Sequence, residues 1–274
     1  LEFASLWNAA GCEVTLLIRR DRVLSTWERR ASMTLTRELK RRGVNVIART
    51  AVDRVDTGAN LGATVHYRQG DSDEDRTAYG EVVLAAIGRV PNTDADWFRS
   101  SGLKLDERGY VTVDGYGRTN LDGVWALGDI TPGHALAHRA FEQGITIAEK
   151  IAGADPKPVI DDTVPQVVFS FPEAASVGLT LDQAKAREDV VEPKETAYPM
   201  LSNARMLMSG EGGSMTVVSG AFANNPDMQV VLGVHIVSPI ASDLIAEAEQ
   251  LVGNRVPLAD AARLIHPHPT FSET

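Results

Sequence analysis

Apolar residues recur at helical spacing over residues 1–10 and stop at Gly11, a residue suited to the left-handed end of a helix. Residues 13–18 follow as a short apolar run of strand length. The pair then repeats: residues 32–42 are amphipathic and closed by Gly43, and residues 44–48 form a second apolar run. Helix, strand, helix, strand is the order of a parallel sheet with crossover helices, and the opening strand and first turn of such a unit would precede Leu1. Over residues 52–79 the period changes to two, most clearly at 63–68, with the acidic stretch 71–75 as a solvated hairpin tip. Residues 81–87 predict a buried strand that runs into the turn Gly88-Arg89-Val90-Pro91-Asn92-Thr93. Two short strands are expected at 110–113 and 124–127, the second ending in Gly128-Asp129, and a helix at 136–151.

Gly153-Ala154-Asp155-Pro156-Lys157-Pro158 has the composition of a linker. Beyond it, strands near 164–169, 215–219 and 229–237 interleave with helices near 181–187, 241–252 and 258–265. That pattern predicts an α+β lobe with an antiparallel sheet, behind an α/β first part.

Composition narrows the function. With 43% hydrophobic and 23% charged residues the chain is an ordinary globular protein, and no stretch nears the roughly 20 apolar residues that cross a bilayer. Its 27 basic and 37 acidic residues leave a net charge of −10, which argues against nucleic acid as a partner. The local basic run 37–42 falls on a predicted helix as a solvated face. Cys12 is the single cysteine, so no intramolecular disulfide forms, and a reducing, cytoplasmic compartment fits. The first residues carry no signal-peptide pattern.

The chemistry concentrates at the other end, in His266-Pro267-His268-Pro269-Thr270-Phe271-Ser272-Glu273-Thr274. His268 and Glu273 lie five positions apart between stiffening prolines. A carboxylate that takes the proton of one imidazole nitrogen fixes the tautomer and leaves the other nitrogen to exchange protons with a reacting group. Taken alone, the same residues also read as a solvated polar pair, as plain turn residues, or, with His266, as two metal ligands lacking an evident third. Asp129 alone reads as a turn or capping carboxylate, His138 as a helix-end hydrogen bonder, Gly88 as a turn glycine, and Arg19 and Arg20 as solvated charges.

Three segments together resemble the flavin-dependent pyridine nucleotide-disulfide oxidoreductases, and within them the dihydrolipoamide dehydrogenase branch. They are Ala86-Ile87-Gly88-Arg89-Val90-Pro91-Asn92-Thr93; Thr119 followed by Ala126-Leu127-Gly128-Asp129 and Ala135-Leu136-Ala137-His138; and His268-Pro269-Thr270-Phe271-Ser272-Glu273. The resemblance implies an incomplete Rossmann-type NAD(P)-binding domain at 1–85, a central segment at 86–155 that contributes to the FAD site, and an interface domain at 156–274. It implies FAD contacts from Asp129, Ala135, Leu136, Ala137 and His138, nucleotide contacts from Val52 and Gly88, and catalysis by His268 and Glu273. Where a dinucleotide unit normally ends its second strand with an acidic residue for the ribose hydroxyls, this chain has Ile18, Arg19 and Arg20, which favours a 2′-phosphate and thus NADP(H). The implied enzyme is a homodimer in which the histidine serves the partner subunit's sulfurs. Its substrate would be a small dithiol or disulfide, or a lipoyl domain within a 2-oxoacid dehydrogenase complex. The redox cysteines and the glycine-rich loop would lie ahead of Leu1, and the chain alone is expected to be inactive. The alternatives are an NADPH-dependent reductase of a glutathione-like disulfide or of mercuric ion, and a non-catalytic dimerisation module.

Overall fold

The computed structural model describes residues 1–58 and 62–274; positions 59–61 of the alternating stretch lie outside the described residues. In chain order the elements are α1 (Glu2–Ala9), β1 (Thr15–Ile18), α2 (Arg29–Arg41), β2 (Asn45–Ala48), β3 (Thr50–Thr57), β4 (Ala63–Gln69), β5 (Arg76–Gly80), α3 (Asp96–Ser100), α4 (Ala137–Ile151), β6 (Gln166–Val168), β7 (Glu173–Gly178), α5 (Leu181–Ala186), β8 (Val190–Pro199), α6 (Ala204–Ser209), β9 (Ser214–Phe222), β10 (Asn225–Ser238), α7 (Ala241–Gly253) and α8 (Leu258–Ala261). They divide into one compact unit of Leu1–Leu84 with Pro165–Thr274 and a second of Ala85–Val164. No helix among the described residues is long and apolar enough to cross a membrane.

In the first unit, β1 and β2 pair in parallel from Thr15↔Asn45 to Ile18↔Ala48, and α2 is the crossover between them. The α2 helix begins where the Glu28 carboxylate accepts hydrogen bonds from the Arg30 and Ala31 amides at 2.6 and 2.7 Å, satisfying donors that a helix start leaves unpaired. Its buried stripe of Ala31, Leu35 and Leu39 meets Val23, Val44 and Val46, while the opposite face stays polar. β3, β4 and β5 form an antiparallel meander whose tip carries the acidic stretch. The remaining strands make a five-stranded antiparallel sheet in the order β6-β7-β10-β9-β8. Against it α7 buries Ala241, Ile245, Ala248 and Val252 over Ala175, Val177, Val234 and Ile236. Both halves of the unit are stitched side by side: the Glu2 carboxylate accepts from the Phe169 amide at 2.9 Å, the Arg42 guanidinium lies 3.9 Å over the Phe171 ring, and Arg42 pairs with Glu211.

The second unit is built around α4 and a small core of Phe98, Val111 and Ala126. Three expectations are corrected here and in the tail. Residues 81–87 form no strand and lie exposed, with Ile87 at 94%. The stretches 110–113 and 124–127 are reduced to single bridges, Leu105↔Val111 and Arg118↔Trp125. A strand exists only where a neighbour offers it a ladder, and apolar composition does not supply that neighbour. The final helix stops at Ala261 rather than running to 265, and the chain leaves it through i→i+3 bonds from the Arg263 amide to the Asp260 carbonyl and from the Leu264 amide to the Ala261 carbonyl.

Candidate catalytic and cofactor-binding residues

The tail after α8 brings His268 and Glu273 together. His268 Nδ1 lies 2.9 and 3.2 Å from the two carboxylate oxygens of Glu273. A carboxylate only accepts, so Nδ1 carries the hydrogen and the neutral ring keeps its lone pair on Nε2. The His268 side chain is 75% exposed and that of Glu273 21% exposed, so the carboxylate is seated and the ring reaches outward. His266 takes a different partner: its Nε2 lies 2.7 Å from Glu247 Oε1, across 19 residues of chain. Asn203, the N-cap of α6, donates to the Thr270 carbonyl at 2.9 Å and to Thr274 Oγ1 at 3.1 Å. Phe271 packs against the core under α7. Neither Glu247 nor Asn203 is legible as a site residue from the sequence, since each sits far from the tail and carries no motif.

At the nucleotide end, Arg19 and Arg20 are exposed directly after β1. Among the described residues neither guanidinium has a hydrogen-bond or ion-pair partner, whereas the next arginine, Arg22, pairs with Asp21 at 3.1 Å. Val52 lies on β3, 48% exposed.

The second unit holds the other expected residues. Gly88 has a φ of 132° and open space around it, a conformation that only glycine adopts readily. Asp129 is exposed in a 3-10 turn whose Gly128 amide donates to Gln143 Oε1 at 2.9 Å, and Thr131 Oγ1 donates to the Gly128 carbonyl at 2.8 Å. Leu136 is the N-cap of α4 and provides no side-chain cap, while Ala135, Ala137 and His138 are exposed. A 15-residue helix thus opens without a side-chain cap from its N-cap residue, at the positive end of its dipole, which suits an anionic or electron-rich carbonyl ligand. The loop ahead of α4 is fixed by Arg139, 5% exposed, which bonds Asp161 at 2.6 Å and the Pro132 carbonyl at 2.6 Å. At Gly133, φ 121°, any Cβ would collide with Arg139 and Asp161. These features, an exposed carboxylate for hydroxyls and the positive end of a helix dipole on a rigid loop, fit one side of a flavin nucleotide.

Comparison with known proteins agrees along the whole chain. Residues 1–144 match the pyridine nucleotide-disulphide oxidoreductase family, and residues 164–274 match its dimerisation domain. Dihydrolipoyl dehydrogenase of Cupriavidus necator is 37% identical over 275 residues, aligning 100% of this chain with 56% of the relative. That of Geobacillus stearothermophilus is 36% identical over 279 residues, again 100% of this chain and 56% of the relative. The crystal structure of LpdA from Mycobacterium tuberculosis superposes with a TM-score of 0.85 at 30% identity, covering 99% of this chain and 57% of that one. The HOCl-induced flavoprotein disulfide reductase RclA from Escherichia coli, at 24% identity and a TM-score of 0.83 over 99% of this chain and 60% of that one, shares the fold. The chain spans about half the length of the curated relatives it matches. It belongs to the pyridine nucleotide-disulphide oxidoreductase family.

Proposed function

We propose that the chain is the nucleotide-binding and interface part of an FAD-dependent enzyme that passes electrons between NAD(P)H and a dithiol/disulfide substrate of the lipoamide type. The observation that carries this reading is His268, its Nδ1 held by Glu273 while the ring projects into solvent. Oxidation of a dithiol releases two electrons and two protons, and NAD(P)⁺ takes up both electrons with one proton as hydride. His268 Nε2 receives a thiol proton as the thiol becomes the better nucleophile, and Glu273 steadies the imidazolium that results. FAD, when bound, carries the electron pair between sulfur and nicotinamide. Asp129 would hold its ribityl hydroxyls, with Ala135, Leu136, Ala137 and His138 at the helix start, and Val52 and Gly88 would line the nicotinamide side. The match of residues 164–274 to the dimerisation domain supports a homodimer in which each His268 serves the partner's sulfurs. The named relatives, dihydrolipoyl dehydrogenases, support lipoamide as the substrate, and a lipoyl domain of a 2-oxoacid dehydrogenase complex is the partner this reading implies.

The guanidinium groups of Arg19 and Arg20, without a partner among the described residues, favour NADP(H), and with it a second reading, an NADPH-dependent reductase of another disulfide. The test is steady-state oxidation of dihydrolipoamide by the full-length protein with NAD⁺ and NADP⁺ in parallel. Turnover is expected, with NADP⁺ preferred and the preference lost in an Arg19→Ala/Arg20→Ala variant. A large preference for NAD⁺ would contradict the arginine assignment, and no turnover of dihydrolipoamide would favour the second reading.

A further inference from the structure

We infer that Glu247 and His266 form a positioning pair that aims His268, an inference that rests on the acid/base role proposed above. Among the described residues, the segment 265–274 makes no backbone-to-backbone hydrogen bond. Its course is therefore set by side chains. Two of its hydrogen bonds are local, from Thr270 Oγ1 to the Pro267 carbonyl at 2.7 Å and from Thr274 Oγ1 to the Phe271 carbonyl at 2.8 Å. Among the described residues, its anchors beyond the segment are Asn203 to Thr270 and Thr274, Phe271 into the core with the Arg205 guanidinium over its ring, and Glu247 to His266.

These anchors are unevenly placed around His268. Asn203 and Phe271 hold the chain after it, and among the described residues Glu247 alone holds the chain before it. The 2.7 Å contact has the length of a charge-assisted hydrogen bond. Its base is firm, because α7 is buried through Ile245 and Ala248 on either side of Glu247. Pro267 separates the two histidines and Pro269 follows the second, so the backbone between the anchored ring and the working ring has few freedoms. Release of His266 would leave the Nε2 of His268 to wander while its bond to Glu273 survived. For a proton-transfer group, misplacement by about 1 Å costs on the order of a hundredfold in rate.

The experiment uses Glu247→Ala, Glu247→Gln and, as reference, His268→Gln in the full-length protein. Three quantities are measured: kcat and KM for dihydrolipoamide, the rate of NAD(P)H oxidation by ferricyanide, which needs no thiol proton transfer, and the thermal midpoint. Glu247→Ala is expected to lower the dithiol kcat by about 10- to 100-fold with little change in KM, leaving the ferricyanide rate and the midpoint near those of the parent. Glu247→Gln should recover most of the loss, since its amide oxygen still accepts from His266 Nε2. The inference is overturned if Glu247→Ala leaves dithiol turnover intact, if both reactions fall together, or if the Gln variant falls as far as the Ala variant. Should His268→Gln itself leave dithiol turnover intact, the acid/base reading fails, and this inference with it.

Discussion

His235, on β10, shows how differently two histidines of one chain are used. It is 1% exposed, with Nε2 3.2 Å from the Leu179 carbonyl and Nδ1 2.7 Å from Ser176 Oγ. A carbonyl only accepts, so Nε2 bears the hydrogen and Nδ1 accepts from the serine hydroxyl. Burial lowers the pKa of this imidazole from its ordinary 6.5, and the charged form is the one excluded. The unfolded chain therefore binds a proton near pH 6.5 that the folded chain refuses, so stability is full above that pH and falls as pH drops below it. Unfolding free energies measured by chemical denaturation from pH 7.5 to 5 should decline with a slope of at most about 1.4 kcal/mol per pH unit from this group, and His235→Asn should flatten it. An unchanged slope would contradict the assignment. Residue-scale legibility depended on distance along the chain. His268 and Glu273 fall within one short segment and could be paired by eye, whereas Glu247 and Asn203 reach the same turn only through the fold.

Among the elements, those with strong local signals formed near where pattern placed them: the α2 stripe, the β4 alternation and the long run of β10. The pattern predicts neither β7 nor β8. β7 is rich in alanine and serine and lies buried in the sheet, and β8 is interrupted by charges and Pro193. Their place comes from neighbours: β7 pairs with β10 from Glu173↔Ser238 to Gly178↔Gly233, and β8 with β9. At the end of β7, Gly178 has φ 79° and its missing Cβ would strike the Leu232 backbone. Gly178→Ala should cost more than about 1 kcal/mol in chemical denaturation, because strain and overlap act together. The α5 helix that follows is opened by a capping box of Thr180 and Gln183. Thr180→Ala should cost about 1 kcal/mol, and the comparison of the two variants separates backbone strain from a lost cap.

For the whole molecule, an α/β first part and an α+β lobe with an antiparallel sheet are readable from element order, since periodicity of 3.6 and of 2 alternates differently in each. The compact grouping of Leu1–Leu84 with Pro165–Thr274 was not readable, because it depends on contacts such as Arg42 with Glu211 between distant segments. With Cys12 its single cysteine, the 274-residue chain has no dithiol pair of its own. Lacking a cysteine pair, it is expected to oxidise no dithiol as purified; turnover would contradict this. The most direct test of the proposed function separates the two halves of the reaction in the full-length protein by stopped-flow absorbance of the flavin. In His268→Gln, reduction by dihydrolipoamide should slow by about 10²- to 10⁴-fold while reduction by NAD(P)H keeps the parent rate. Equal rates for dihydrolipoamide in variant and parent, or an equal fall with both reductants, would contradict the role given to His268.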